Sequence, residues 1–306
     1  MSKKICYFPV INTDDELIDL ISRATWFLSH CRVSKITIPV SSVYLCSISW
    51  RVAPGMDNSI SQLFAAMKDK ISFVVVSSQE DLDPYMENAD IILKWHASFI
   101  QDFISVEKLR HWEKNKKVWI VDPIRSRMEG SLYIEVGLYL LEDKTSIIDE
   151  SRKKFKALVS RLGSYEQAYV MATGPSISRY RLYNYEKSVA IVCNSVILDD
   201  ELMNHVNPQI LVFADPIFHF GPSEYAAAFR QRLREAVAKY EFMIFIPLKY
   251  FELFANSNPD LVGRTIAIPF MKDRSFNFDI QREFEVKTTA NILTLLLLPL
   301  ATTFAN

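Results

Sequence analysis

The sequence predicts an α/β protein in which parallel sheets are flanked by helices, and three observations lead there. Short apolar runs of strand length alternate with stretches at helical spacing along the whole chain. Strands separated by helices need crossover connections, which build parallel sheets covered on both faces. One charge-rich helical stretch, residues 142 to 163, divides the chain into two series of such elements.

In chain order, KKICYFPV opens as a strand, and DDELIDLISRATWFLSH follows as a helix capped by Asn12-Thr13-Asp14. SKITIPVSS is a second strand, SISQLFAAMKDK a helix and ISFVVVSS a third strand. The acidic stretch SQEDLDPYMEN reads as a surface loop before the buried strand ADIILKW, and KKVWIVDP is a further strand. Residues 142 to 163 spread charges between widely spaced apolar residues and end in Gly163, the pattern of an exposed connecting helix. Domains of residues 1–150 and 151–306 are therefore expected. The second half repeats the theme with the strands QAYVMATG, SVAIVCNS, PQILVFADP, EFMIFIPL and RTIAIPF. Between them lie YRLYNYEK, DDELMNHV and the long helix SEYAAAFRQRLREAVAKY. The halves share this pattern without any sequence repeat, and it is that of two Rossmann-like domains. A last helix opens at Thr288 to Asn291. A strand should follow it in an α/β domain, so the chain is expected to be a module cut from a longer protein.

Composition narrows the function classes. With 49% hydrophobic and 23% charged residues, the chain has the makeup of a soluble globular protein. The 35 basic residues are balanced by 36 acidic ones, so no nucleic-acid partner is expected. The four cysteines, Cys6, Cys31, Cys46 and Cys193, form no CxxC pair and have no metal-type spacing, which points to reduced thiols in a cytoplasm. The N-terminus lacks the long apolar core of a signal peptide. The longest apolar run, Ile292 to Ala301, falls short of the ~20 residues a membrane span needs.

In open parallel sheets, ligands bind beyond the carboxyl ends of the strands, near the point where strand order reverses. In the second half those ends carry Thr173-Gly174-Pro175-Ser176, then Cys193-Asn194-Ser195, then Asp215-Pro216 with His219. Gly174 lets backbone approach a phosphate, and Ser176 offers a hydroxyl where the next helix starts; a plain turn with a helix cap reads the same way. The turn matches neither GxGxxG nor GxxxxGK[ST], which disfavours a dinucleotide fingerprint and a P-loop. Asn194 has a donor and an acceptor for a base edge or sugar hydroxyl, and would serve equally as a cap before ILDDELM. Asp215 ends the apolar strand ILVFAD and would project into the same crevice.

From residue 165 to 306, the order GPS, a strand ending CN, a strand ending DP with an aromatic run (ADPIFHFGPSEY) and a Thr-Thr helix start resembles that of bacterial sialyltransferases using CMP-sialic acid. Their segments read like GNGPS, RCN, YNP and TSG. The layout is also similar to that of the motility accessory factors and of the retaining β-Kdo transferases of bacterial polysaccharide assembly. The resemblance implies a GT-B-like pair of domains facing across a cleft, the first on the acceptor side and the second holding a nucleotide sugar. It implies that Gly174, Pro175 and Ser176 lie against the CMP phosphate and ribose, with Asn194 and Ser195 at the nucleotide or sugar. Thr288 and Thr289 would hold the phosphate or the sugar carboxylate. This chain departs from the sialyltransferase pattern at Ala290, where Gly is usual, and at Asp215, where Asn is usual.

That second departure favours retention. A carboxylate beneath the anomeric carbon can form a covalent glycosyl-enzyme intermediate, which Asn cannot readily do. The expectation is transfer of a keto sugar acid, Kdo first, from its CMP-activated donor to an oligosaccharide or lipid-linked glycan, at the inner membrane face in the latter case. His219 is the candidate acceptor base, though between Phe218 and Phe220 it reads equally as a packed side chain. Arg125, Arg127 and Glu129 are candidates to face the acceptor, against the plainer reading of a solvated loop. No metal is expected. The resembling families work without one, Asp81-Leu82-Asp83 reads as surface loop, and Trp95-His96 has no His or Cys at ligand spacing. The alternatives are an inverting sialic or pseudaminic acid transferase, a pterin or nucleotide phosphotransferase requiring a nucleoside triphosphate and Mg²⁺, and a non-catalytic nucleotide-binding module.

Overall fold

The computed structural model describes residues 2–47, 50–96, 104–121, 131–273 and 275–305, and it is an α/β protein with two parallel five-stranded sheets flanked by helices. The chain divides into two compact units. One comprises residues 1–141 with 216–226, the other 142–215 with 227–306.

The first unit is built on β1 (Lys3–Phe8), β2 (Val33–Val40), β3 (Ile71–Val75), β4 (Ile91–Lys94) and β5 (Lys117–Ile120), in the order β3-β2-β1-β4-β5. The order reverses at β1, which pairs with β2 on one side and β4 on the other. Helix Asp14–Leu28 follows β1; its N-cap Thr13 accepts a bond from Glu16 N, and three acidic residues occupy the first turn, where the helix dipole favours them. The acidic stretch expected as a loop is a helix instead, Gln79–Asn88. Ser78 and Asp81 form a capping box, and the Asp81 carboxylate accepts from Ser77 N, Ser77 Oγ and Ser78 N, bonds that hold it below the ordinary carboxylate range. Asp83 pairs with Lys108 at 3.1 Å. Capping thus engages the carboxylate of Asp81, and an ion pair engages that of Asp83.

Residues 216–226 complete this unit from far along the chain. Trp26 Nε1 donates to Phe220 O at 2.9 Å, Asp57 N to Pro222 O at 2.7 Å and Glu224 N to Gly55 O at 3.1 Å. Met56 and Ser223 form an antiparallel bridge.

The second unit is built on β6 (Gln167–Met171), β7 (Ser188–Cys193), β8 (Ile210–Val212), β9 (Met243–Pro247) and β10 (Thr265–Ile268), ordered β10-β9-β8-β7-β6. All six residues of β7 are buried, as a central strand covered on both faces requires. Each strand lies beside the next in sequence, so right-handed crossovers all fall on one face. That face packs Phe213 against Phe229 and Phe254, at ring separations of 5.2 and 5.8 Å. The opposite face, with Ile191, Val212 and Ile268, is covered by the segments that precede β6 and follow β10.

The first of these is helix Lys144–Leu162, which corrects the expectation of an exposed connector. Its Ser151, Phe155 and Leu158 are buried, Phe155 meets Phe245 edge-on at 6.0 Å, and Ser151 Oγ accepts from Ala267 N. The charged residues are the solvated remainder of an amphipathic helix. The second covering segment starts as a π-helix, Leu293–Leu297, and continues as α-helix Leu298–Phe304; Ala305 then bridges Tyr165 in parallel. Before it, β11 (Phe270–Met271) pairs in parallel with β12 (Val286–Lys287).

Candidate functional site

Register fixes where the second sheet presents its polar strand ends. Met171 pairs with Val192, and Cys193 pairs with Val212, so β6, β7 and β8 end side by side. The Gly174 turn, Asn194-Ser195 and Asp215 therefore follow adjacent strands at one edge of the sheet. The order runs without the reversal expected to create the crevice, because consecutive strands are neighbours throughout. What gathers these residues is adjacency of strand ends.

Gly174 has an ordinary extended backbone, φ −79° and ψ 163°, and a Cβ built on it would meet nothing within 4 Å. Neither backbone conformation nor packing demands glycine there, so its place opens space in front of the turn. Pro175 starts the helix expected after the turn, and it is a 3₁₀ helix, Pro175–Leu182. Ser176 is exposed in its first turn.

Asn194 is held at φ 51°, the left-handed region that non-glycine residues seldom occupy. Its Oδ1 is fully buried and has no hydrogen-bond partner. A cap does not explain it, because helix Asp200–Val206 is capped by Asp199, whose carboxylate accepts from Leu202 N at 3.0 Å. A buried acceptor left open in a strained residue is an uncommon arrangement in a folded chain. The preceding thiol, Cys193, is buried and pushed up to about 11 by that burial, which leaves it protonated and unreactive near neutrality. Ser195 is half-buried.

Asp215 is half-buried and is the last residue of the second unit before the chain enters the first. His219 belongs to the first unit and is 4% exposed, a packed ring. Thr288 and Thr289 follow β12 and lead into the π-helical segment, which packs on β7. Thr288 N donates to Met271 O, while the Thr289 hydroxyl lies 2.9 Å from Thr294 Oγ1 and 3.1 Å from Asn291 O. The helix start is capped by Asn291, which accepts from Leu293 N at 2.8 Å. The Thr289 hydroxyl is thus engaged in the turn.

Sequence reasoning passed over Lys249, which follows β9 as Asp215 follows β8; its Nζ lies 5.0 Å from the Tyr250 ring centroid. A lysine after the apolar run EFMIFIPL was the available signal. In the first sheet, Trp95-His96 follow β4, and His96 Nε2 meets Glu16 Oε1 at 2.6 Å, beside the strand-order reversal. Arg125, Arg127 and Glu129 lie outside the described residues. Among the described residues, no group of three or more His, Cys, Asp or Glu side chains is arranged to hold a metal, and no helix is long and apolar enough to cross a membrane.

No family model matches the chain, and no curated protein sequence does. Among solved structures it is similar to a periplasmic binding protein from Veillonella parvula dsm 2008, with 12% identity and a TM-score of 0.28 over 88% of this chain and 84% of that one.

Proposed function

We propose that the chain is a glycosyltransferase that uses a CMP-activated keto sugar acid, Kdo before others, and acts with retention through Asp215. The observation that carries this reading is Asn194, strained, unpartnered at its buried Oδ1, and set between the ends of β6 and β8. That oxygen would meet a ligand donor only once the strand end opened around it, and it would then suit the donor groups of a base or sugar hydroxyl. The open space at Gly174 on one side would admit a phosphate, and Asp215 on the other supplies a carboxylate.

In the first step an Asp215 oxygen bonds to the anomeric carbon while the bond to the CMP phosphate breaks, and CMP departs with the electron pair. In the second, the acceptor oxygen attacks that carbon, the ester bond to Asp215 breaks, and the hydroxyl proton passes to solvent or a base. Peptide N–H groups and hydroxyls at the strand ends would steady the departing phosphate.

Calorimetric titration of the full chain with CMP, GDP, UDP and ATP, each with and without Mg²⁺, tests the donor class. The expected result is CMP binding that ignores Mg²⁺ and is lost in Asn194→Gly. Incubating CMP-Kdo with the protein should then give a covalent sugar adduct by mass spectrometry, absent in Asp215→Ala together with all transfer. A fully active Asp215→Ala would remove the nucleophile; ATP binding that depends on Mg²⁺ would favour phosphoryl transfer.

A further inference from the structure

Between β11 and β12 the second unit carries a loop that lines a half-open cavity of about 380 Å³. Its construction separates two kinds of aromatic residue. Ile280, Phe284 and Val286 point into the core and are at most 7% exposed, while Phe276 and Phe278 line the cavity at 45% and 54% exposure. The same short loop thus buries one phenylalanine and presents two.

The loop is also held rigidly from within. Asn277 Nδ2 donates to Glu283 O and Glu285 O, both at 2.7 Å, and Asn277 Oδ1 accepts from Asp279 N at 2.9 Å. Ile280 N donates to Thr303 Oγ1 at 3.0 Å, tying the loop to the last helix. Parallel pairing of Phe270 with Val286 and Met271 with Lys287 pins both ends. Such a platform is ordered before any ligand arrives, so ordering costs little on binding.

The two exposed rings lie 6.2 Å apart with planes 32° from parallel. A slot that clamps a flat base between two rings needs parallel planes about 7 Å apart, twice the carbon contact distance. Tilted by 32°, these rings do not make such a slot, and both stand exposed at the cavity wall. Lys287 Nζ stands 5.0 Å from the Phe276 centroid, and the lining includes three carboxylates, Asp279, Glu283 and Glu285, against the cations Arg282 and Lys287. A phosphate or other anion gains little from that balance. A polyol gains on both counts: its apolar C–H face rests on the rings, and its hydroxyls donate to carboxylates and accept from the cations.

We infer that this cavity is a binding site for a neutral saccharide, a pyranose lying on Phe276 and Phe278. It does not depend on the transferase reading, since saccharide binding requires no donor nucleotide. Saturation-transfer difference NMR on the full chain tests it, with lactose, maltose and chitobiose as probes and CMP in a separate arm. At least one disaccharide should receive saturation at its ring C–H protons. Its binding should weaken about tenfold or more in Phe276→Ala/Phe278→Ala, as expected for the loss of stacking contacts, and persist in Phe276→Tyr/Phe278→Tyr. Both phenylalanines are solvent-exposed, so the variants keep the fold, which circular dichroism checks. Three results overturn the inference: no transfer to any of the disaccharides, equal transfer to the alanine variant, or loss of CMP binding in place of saccharide binding in that variant.

Discussion

Asn194 concentrates what is unusual at the level of single residues. It combines a positive φ with a buried, open acceptor, two costs that a purely structural asparagine has no reason to bear together. Replacing it separates the two. Asn194→Gly relieves the backbone and Asn194→Ala retains the strain, so the alanine variant should be the less stable by about 1 kcal/mol, measured by urea unfolding followed by far-UV circular dichroism. Equal stabilities would mean that the left-handed conformation is not kept in solution. Part of this was legible in the sequence, where a polar CNS triplet closing an apolar strand marks a strand end. The left-handed backbone was not, because asparagine adopts it only when tertiary contacts require it. His219 illustrates the opposite limit: in the sequence it reads equally as an acceptor base and as a packed side chain, and its 4% exposure shows a packed ring.

Elements were easier to read than their environment. Every strand of both five-stranded sheets lies in or overlaps a run read as a strand, most plainly the central β7, whose burial on both faces leaves a continuous signal. Helix Lys144–Leu162 was recognisable as a helix and misjudged as solvent-exposed, because its buried stripe of Ser151, Phe155 and Leu158 is narrow among many charges. Strand order was invisible: alternation of strand and helix fits a reversing sheet and an unreversed one equally well, and the chain has one of each. The turn after helix Asp14–Leu28 brings a consequence for stability. His30 is half-buried there, its Nδ1 is enclosed without a partner, and burial lowers it from 6.5 to about 4. Between those values the unfolded chain holds more protons than the folded one. Stability from this source is therefore complete above about 6.5 and is lost progressively as pH falls towards about 4. The urea midpoint of the first unit should drop between pH 7 and pH 5, and His30→Leu should flatten that dependence. An undiminished slope in the variant would assign it to other groups.

At the scale of the whole molecule, the chain leaves the first unit at residue 141, returns for residues 216–226 and leaves again, so neither unit is a single stretch of sequence. The sequence offers no sign of this, because ADPIFHFGPSEY reads as the natural continuation of a second-half strand and its partners lie far away in the chain. The division has a physical cost if the chain is cut at the apparent boundary. A fragment of residues 1–141 would deprive the Trp26 indole N–H of the Phe220 carbonyl that accepts it, a loss of about 0.5–1.5 kcal/mol once water takes that place. It would also lose burial of the Phe220 ring, which contributes about 1.5–3 kcal/mol. All five tryptophans, Trp26, Trp50, Trp95, Trp112 and Trp119, belong to the first unit, so intrinsic fluorescence reports its unfolding alone. The fragment should therefore unfold at a lower urea concentration than the fluorescence transition of the full chain, and a peptide of residues 216–226 added in trans should raise its midpoint. Within the full chain, Gly221→Ala should lower the same transition, since the new Cβ would come 2.6 Å from Ile217 O and force the segment away from its seat. If fragment and full chain share one midpoint, and the peptide has no effect, the segment covers the first unit without stabilising it, and the two units can be separated at residue 141 after all.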